Sequence, residues 1–400
     1  MRRYGFVACF VGLAGLATWL WEQSGRQVSD VTLYRLYGER MTHGLVPYRD
    51  FHVEYPPGAL PVFALPAIVS DSRTGFAIAL AVLLGTVGAL GAILLDRTFL
   101  HLDEDPGRQR LARWLIALSP VALGALLFTR YDLLPAALTV ATLLAFLGGR
   151  PRLGGLLLGL AIAVKLYPVV LLPLVVVWAY RRHGARSARW VTGLAVGMPV
   201  AAYLPFLLIA PGGVAWSIGR QLSRPLQIES LGSSLVLTAH HVLGFGLGWS
   251  SSHGSQNLTG TAASVIALVA SVVQVAVLAL VWWRFARGPA SRERLVRYSA
   301  AAIVAFVVFG KVLSPQYLMW PLFLVPLVAG LRGRVAVGMY ALAAALTALW
   351  FPARYWELVK TFDPFASWVL LARNAALVAL LVVLLGDPAK LERYSDSLDR

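Results

Sequence analysis

Cysteine is almost missing from this 400-residue chain: Cys9 stands alone, inside an apolar run. No intrachain disulfide, zinc-thiolate cluster or thiol mechanism is therefore available. Charge is scarce as well. Only 14% of residues are charged against 58% hydrophobic, and the mean hydropathy is +0.70. A soluble globule, whose charged fraction approaches a quarter, is excluded. GxxxxGK[ST], a dinucleotide fingerprint, HExxH and GxSxG are also absent. ATP-driven transport, nicotinamide chemistry, zinc proteolysis and the usual serine hydrolase thus have no local support. With no internal repeat, linker or soluble portion, residues 1–400 read as a single integral membrane domain.

What is present is a series of apolar stretches near 4–22, 74–95, 112–128, 131–148, 153–166, 168–180, 190–210, 260–283, 298–310, 317–331, 335–350 and 366–386. They predict an all-α polytopic membrane protein of about twelve transmembrane helices. The first stretch follows Arg2-Arg3 but ends in Trp19, Leu20 and Trp21 rather than small residues, so it is expected to remain as a span. Acids are few: the net charge is +16, from 35 Lys and Arg against 19 Asp and Glu. Placing both termini in the cytoplasm puts most of that positive charge inside, including Arg181, Arg182 and the run from Arg284 to Arg297. The excess is then a topology signal rather than a nucleic-acid footprint. The tail 387–400 falls inside, and the outer loops lie at about 23–73 and 211–258.

The first outer loop is the polar interruption that matters most. Ser29 can cap and Gly44 can end a helix over 29–43, which places Asp30, Tyr34, Tyr37 and Met41 on one face. Asp50, Glu54 and Tyr55 come next. Residues 57–70, apolar but short and broken by prolines, predict a re-entrant or interfacial helix, and 233–248 is read the same way. Each acid has a plain alternative: Asp30 as a favourable charge in a first helical turn, Asp50 and Glu54 as partners of nearby loop cations. The sequon Asn257-Leu258-Thr259 carries little weight, being a common chance match.

Other polar residues gather at the same outer face. Arg130 and Asp132 occupy FTRYD, Lys165 and Tyr167 KLYP, and Lys311, Ser314 and Gln316 KVLSPQ. Arg220, Arg224, Gln227, Glu229, His240 and His241 belong to the second outer loop, and Arg373 to the last span. A single such cation is ordinarily a helix-end residue snorkelling to water. Lys165 is harder to explain in that way, because its flanking spans are short enough to leave it in a recess, where it calls for an anion such as phosphate. His240 and His241 are adjacent, hence splayed, and do not suggest a metal pair.

The order SDVTLY, GLVPYRDF, EYPPG, RYDLLP, KLYP, QIESLGSS and SPQYLMWPL resembles the GT-C glycosyltransferases. The nearest is family 87, the polyprenyl-phosphate-mannose-dependent α-1,2-mannosyltransferases and their relatives. The likeness runs from about residue 28 to 325. It implies a GT-C fold with a helical first outer loop and an aspartate there acting as general base. Asp30 matches that position. Many GT-C relatives carry a second acid beside the base, where this chain has Val31, which points to a site without metal or other cofactor.

The implied reaction is an inverting transfer of a sugar, most simply mannose, from a polyprenyl-phosphate donor to a glycolipid or glycan hydroxyl. Membrane lipids are the remaining partners, and no nucleotide site is needed. Arg130, Lys165, Lys311, Arg224 and His241 are the candidates for binding donor phosphate. Tyr34, Tyr37, Asp50, Glu54, Tyr55, Glu229 and Gln316 are candidates for the sugars. The expected setting is a bacterial plasma membrane with the site facing outward. The rival readings are a transporter or lipid flippase, which commonly shows duplicated halves, and a scaffold, which would not need Lys165 or Arg373 at membrane depth.

Overall fold

A computed structural model describes residues 4–24, 29–102 and 105–386. The Arg2-Arg3 flank and the tail 387–400 lie outside the described residues. Among those described are sixteen α-helices and one β-hairpin. Helices α1 (Gly5–Gln23), α4 (Arg73–Thr98), α9 (Leu172–Ile209), α12 (Thr261–Arg287), α14 (Gly330–Trp350) and α16 (Pro364–Leu385) belong to the six stretches long and apolar enough to cross a membrane. Between them pack the shorter α5 (Pro106–Leu123), α6 (Leu126–Thr129), α7 (Leu133–Leu147), α8 (Pro151–Val164) and α13 (Arg292–Phe309). Large apolar side chains such as Trp19, Val82, Val121, Leu208 and Val275 are exposed on the outside of the bundle, as expected where the solvent is lipid.

Small residues let the helices approach. A Cβ on Gly155 of α8 would stand 2.9 Å from the Val191 Cα of α9, and one on Gly159 would stand 2.8 Å from the Met198 Cβ, so side chains there would force the two apart. Helix α9 joins the expected spans 168–180 and 190–210 through the arginine-rich segment, with a break at Gly184, whose φ of 78° L side chains rarely adopt.

The first loop folds as its sequence predicts. Helix α2 is Val31–Thr42; Ser29 Oγ accepts the Val31 N–H at 3.1 Å, and Gly44 takes a φ of +82° just beyond its end. The apolar segment after it forms a 3₁₀ turn, Pro57–Ala59, and helix α3 (Leu60–Val69), which lies against α2. Helix α10 (Pro211–Leu222) opens the second loop. Helix α11 (Leu231–Leu243) then packs on α16, its first turn capped by Ser230 Oγ.

Two expectations need correction. The stretch 317–331, read as a span, is not an α-helix before α14 begins at Gly330: Pro315, Pro321 and Pro326 withhold backbone donors, and the segment runs as 3₁₀ turns Pro315–Met319 and Val325–Leu327. From Leu318 to Val328 it is buried in protein, which is where irregular backbone is tolerated at membrane depth. It leads from Lys311, beside the second loop, to Leu327, whose carbonyl accepts from Arg108 at the opposite end of the bundle. Residues 233–248 differ as well, because the helix there ends at Leu243 and a strand begins at Gly248. An antiparallel hairpin, β1 (Gly248–Ser252) and β2 (Ser255–Thr259), turns at His253-Gly254 with both residues at positive φ. Asn257 of the sequon is fully buried in it, its amide donating to the Ser252 and Ser255 carbonyls.

Candidate functional site

The polar ends of α2, α7 and α8, the second loop and the buried 3₁₀ segment meet on the face bearing the two long loops. Asp30 sits at the N-cap position of α2, but its carboxylate does not cap the helix. It forms an ion pair with Arg130, from the turn between α6 and α7, and accepts from the Tyr34 hydroxyl at 3.4 Å. Arg130 is 6% exposed, whereas the Asp30 side chain is 29% exposed. The acid therefore stands at the open edge of a buried cationic group.

Two residues on, Asp132 is 1% exposed and accepts from Lys165 Nζ at 2.6 Å and from Trp320 Nε1 at 2.6 Å. Lys165, expected in a recess and in want of an anion, is in one, and Asp132 is its first anion. The Trp320 indole is sandwiched between Tyr167 at 4.0 Å and Tyr317 at 3.8 Å. The Lys165 ammonium lies 4.6 Å from the Tyr131 ring centre, a favourable cation–π distance. Arg130 and Arg224 are both close enough to repel the Lys165 charge.

Deeper in the bundle, Arg373 is fully buried and donates to the Glu229 carbonyl at 2.9 Å. Glu229, in the loop before α11, has its carboxyl pushed up to about 7 by burial, an effect that neighbouring Arg373 partly offsets. Lys311 donates to the Leu222 carbonyl at 2.9 Å and is drawn below the usual lysine range, first by partial burial and then by Arg224. Asp30, Asp132 and Glu229 thus face five cations, Arg130, Lys165, Arg224, Lys311 and Arg373, which leaves an excess of positive charge. Buried polar atoms without a hydrogen-bond partner collect here too: Tyr131 OH, Asp132 Oδ2, Arg224 Nε, Gln227 Oε1, Glu229 Oε2 and Arg373 Nη1. Proteins rarely leave such groups unmatched, and their convergence suits an anionic, hydroxyl-rich ligand.

The other sequence candidates are placed differently. Tyr34 and Tyr37 are buried, Tyr34 against Phe63 and Tyr131, Tyr37 against Phe51, so only the Tyr34 hydroxyl reaches the acid. The Tyr55 ring packs on Tyr131 at 5.3 Å, and its carbonyl accepts from Tyr48. Glu54 binds Arg220 at 2.7 Å, and its carbonyl accepts from Gln221, tying the two long loops together. Asp50 is turned away: it accepts from Arg49 and from the Val46 N–H, and these, Arg49 first, hold it down at about 2. Gln316 is half-buried at the start of the 3₁₀ segment. His241 lies near the far end of α11, its ring 5.1 Å from that of His240, about three helical turns from Glu229. The cluster also takes in Trp320 and Tyr317, which the candidate residues omitted although SPQYLMWPL carries both.

Two clefts lie between helices near the cluster. One, about 630 Å³, lies between α1, the α5–α6 turn and the end of α14, and its lining includes Leu20, Trp21, Val121, Leu126, Thr129 and Phe351. Thr129 precedes Arg130. The other, about 440 Å³, lies beside α12 and is bordered by Pro225, Leu226, Ala267, Leu268, Ser271 and Lys311.

The sequence model of glycosyltransferase family 87 matches residues 51–315. That range holds Arg130, Lys165, Arg224, Glu229 and Lys311, while Asp30 falls before it. Among solved structures, the chain is similar to the Archaeoglobus fulgidus oligosaccharyltransferase tethered to an acceptor peptide containing the NVT sequon. Identity is 13% and the TM-score 0.43, with 96% of this chain and 55% of that one covered. The chain thus spans about half the length of that protein. No curated protein matches the chain.

Proposed function

Because the chain belongs to glycosyltransferase family 87, we propose that it moves a sugar, mannose in the first instance, from a polyprenyl-phosphate donor to a hydroxyl of a glycolipid or glycan acceptor on the outer membrane face. It is a membrane glycosyltransferase; donor, sugar and sidedness are the proposal. The observation that carries it is the ion pair of Asp30 with Arg130 at the edge of a cluster in which cations outnumber acids, with a mainly apolar cleft lined by Thr129, the residue before Arg130. A phosphate whose lipid chain stays in the membrane fits that combination. A nucleotide sugar carries no lipid chain to place in such a cleft.

In the proposed reaction the acceptor oxygen attacks the anomeric carbon as Asp30 takes its proton. The new C–O bond forms while the bond from anomeric carbon to phosphate oxygen breaks, and polyprenyl phosphate leaves with the electron pair. Negative charge grows on the leaving phosphate, so the fixed cations Lys165, Arg224 and Lys311 stabilise the transition state more than the bound donor. Arg130 holds the Asp30 carboxylate in place until the acceptor arrives. Glu229 and Gln227 supply acceptors for sugar hydroxyls.

The test is transfer by the purified full chain in lipid nanodiscs, with polyprenyl-phosphate [¹⁴C]mannose and a mannose-bearing glycolipid. Labelled glycolipid is expected, with none formed when GDP-mannose replaces the donor. Equal transfer from the nucleotide sugar, or none from any lipid-linked sugar, overturns the reading.

A further inference from the structure

Asp132 has no part in the proposed proton transfer, yet it is the acid in closest contact with Lys165. It occupies the N-cap position of α7, where an aspartate ordinarily accepts from the helix's first N–H groups; here no such bond forms. Its Oδ1 instead gathers two donors from distant parts of the chain, Lys165 at the end of α8 and Trp320 in the buried 3₁₀ segment. Trp320 lies parallel to Tyr167 within 1° and within 23° of Tyr317. One carboxylate oxygen therefore ties the Lys165 ammonium to the buried aromatic stack.

We infer that Asp132 is a positioning residue for the donor phosphate: braced by the Trp320 N–H, it holds the Lys165 ammonium at the place where the phosphate binds. The inference rests on the proposed donor. A lysine on its four-carbon stem is a mobile point charge. Bonded at 2.6 Å to a buried carboxylate, it is fixed, and two of its three N–H donors remain for a ligand. Asp132 also offsets part of the cost of keeping an ammonium out of water.

The experiment compares the wild-type chain with Asp132→Asn, Lys165→Met, the double variant and Asp132→Glu. It reads the affinity for undecaprenyl phosphate in nanodiscs and the KM values for donor and acceptor. Each single substitution is expected to weaken undecaprenyl phosphate binding and raise the donor KM about tenfold, with the acceptor KM unmoved. The double variant should do no worse than either single one, as residues acting through one contact are not additive. Asp132→Glu should recover most of the loss.

Losses that multiply to about a hundredfold in the double variant overturn the proposal, as does an Asp132→Asn protein that melts earlier but keeps the wild-type donor KM and affinity. Should Asp132→Asn fail to fold, Trp320→Phe, which keeps a stacked ring but loses the N–H, is expected to raise the donor KM about threefold; an unchanged value overturns the proposal. Failure of the wild type to bind undecaprenyl phosphate overturns it too. Binding with the expected coupling but no sugar transfer would refute the proposed reaction and leave the clamp standing.

Discussion

Asp30, at the head of α2, and Arg130, in the turn before α7, form an ion pair across the face where the two long loops meet. The pair sets a direction for the acceptor: it must approach from the exposed side of Asp30, because the buried side belongs to Arg130. Asp30→Asn keeps the shape and removes the base, so transfer should fall about 10²–10⁴-fold, the range supplied by a general base. Arg130 keeps Asp132 and Glu229 within electrostatic reach, so the melting temperature should stay within a few degrees of wild type. The check is the initial rate of mannose transfer beside a thermal melt; a rate near wild type removes Asp30 from the base role.

Helix α2 holds Asp30 at its height by lying tightly on α3. A methyl on Gly38 would fall on the Phe63 carbonyl and 2.7 Å from the Ala67 Cβ, and backbone on both sides cannot yield without moving a helix. Gly38→Ala should therefore lower both stability and transfer, the latter at least about tenfold, since displacements of about an ångström at a catalytic group cost on that order or more. Gly12→Ala in α1, with open space at its Cβ, is the matched control and should leave both unchanged.

The outward orientation is tested at Asp50, which is turned away from the cluster and bonded to Arg49 and the Val46 N–H. Asp50→Cys should react with a membrane-impermeant maleimide added outside intact cells, while the native Cys9, half-buried within α1, does not. Protection of position 50, relieved on opening the cells, would invert the topology.

Local signals were legible in the sequence. Ser29 and Gly44 flank α2, Ser29 Oγ accepting the Val31 N–H although Asp30 takes the N-cap position, and the proline-broken stretch 57–70 holds a short helix. The motif order pointed to the family now matched over 51–315. Hydropathy misled at 317–331, because a buried irregular segment and a membrane helix are equally apolar; its two prolines, Pro321 and Pro326, and Pro315 just before it were the available warning. His253-Gly254 between short Ser- and Thr-containing runs was likewise a hairpin signal that a reading tuned to helices passes over. The partner of Lys165 was not legible at all. Asp132 reaches it only because α7 and α8 pack side by side, and which of the nearby acids a lysine meets depends on that packing, not on either motif.

Glu229 gives the cluster a pH signature whose sign can be worked out. Its folded carboxyl titrates near 7, against an ordinary value of 4.5, chiefly because it is buried. Below the ordinary range the folded and unfolded chains are both protonated, and the group has no effect on the slope. Between about 4.5 and 7 only the folded chain holds the proton, so this group's contribution to stability declines as pH rises, and above about 7 it is flat. Glu229→Gln abolishes the titration. The wild-type melting temperature minus that of the variant should therefore fall across this window and level off beyond it, in melts recorded from pH 4 to 9. Transfer carries the same signature if Glu229 accepts from a sugar hydroxyl, because the ionised carboxylate is the better acceptor: the wild-type rate should rise through pH 7 where the variant's does not. A melting difference that is constant with pH, together with superimposable rate profiles, would show that Glu229 does not titrate in this range and does not serve the sugar in its ionised form.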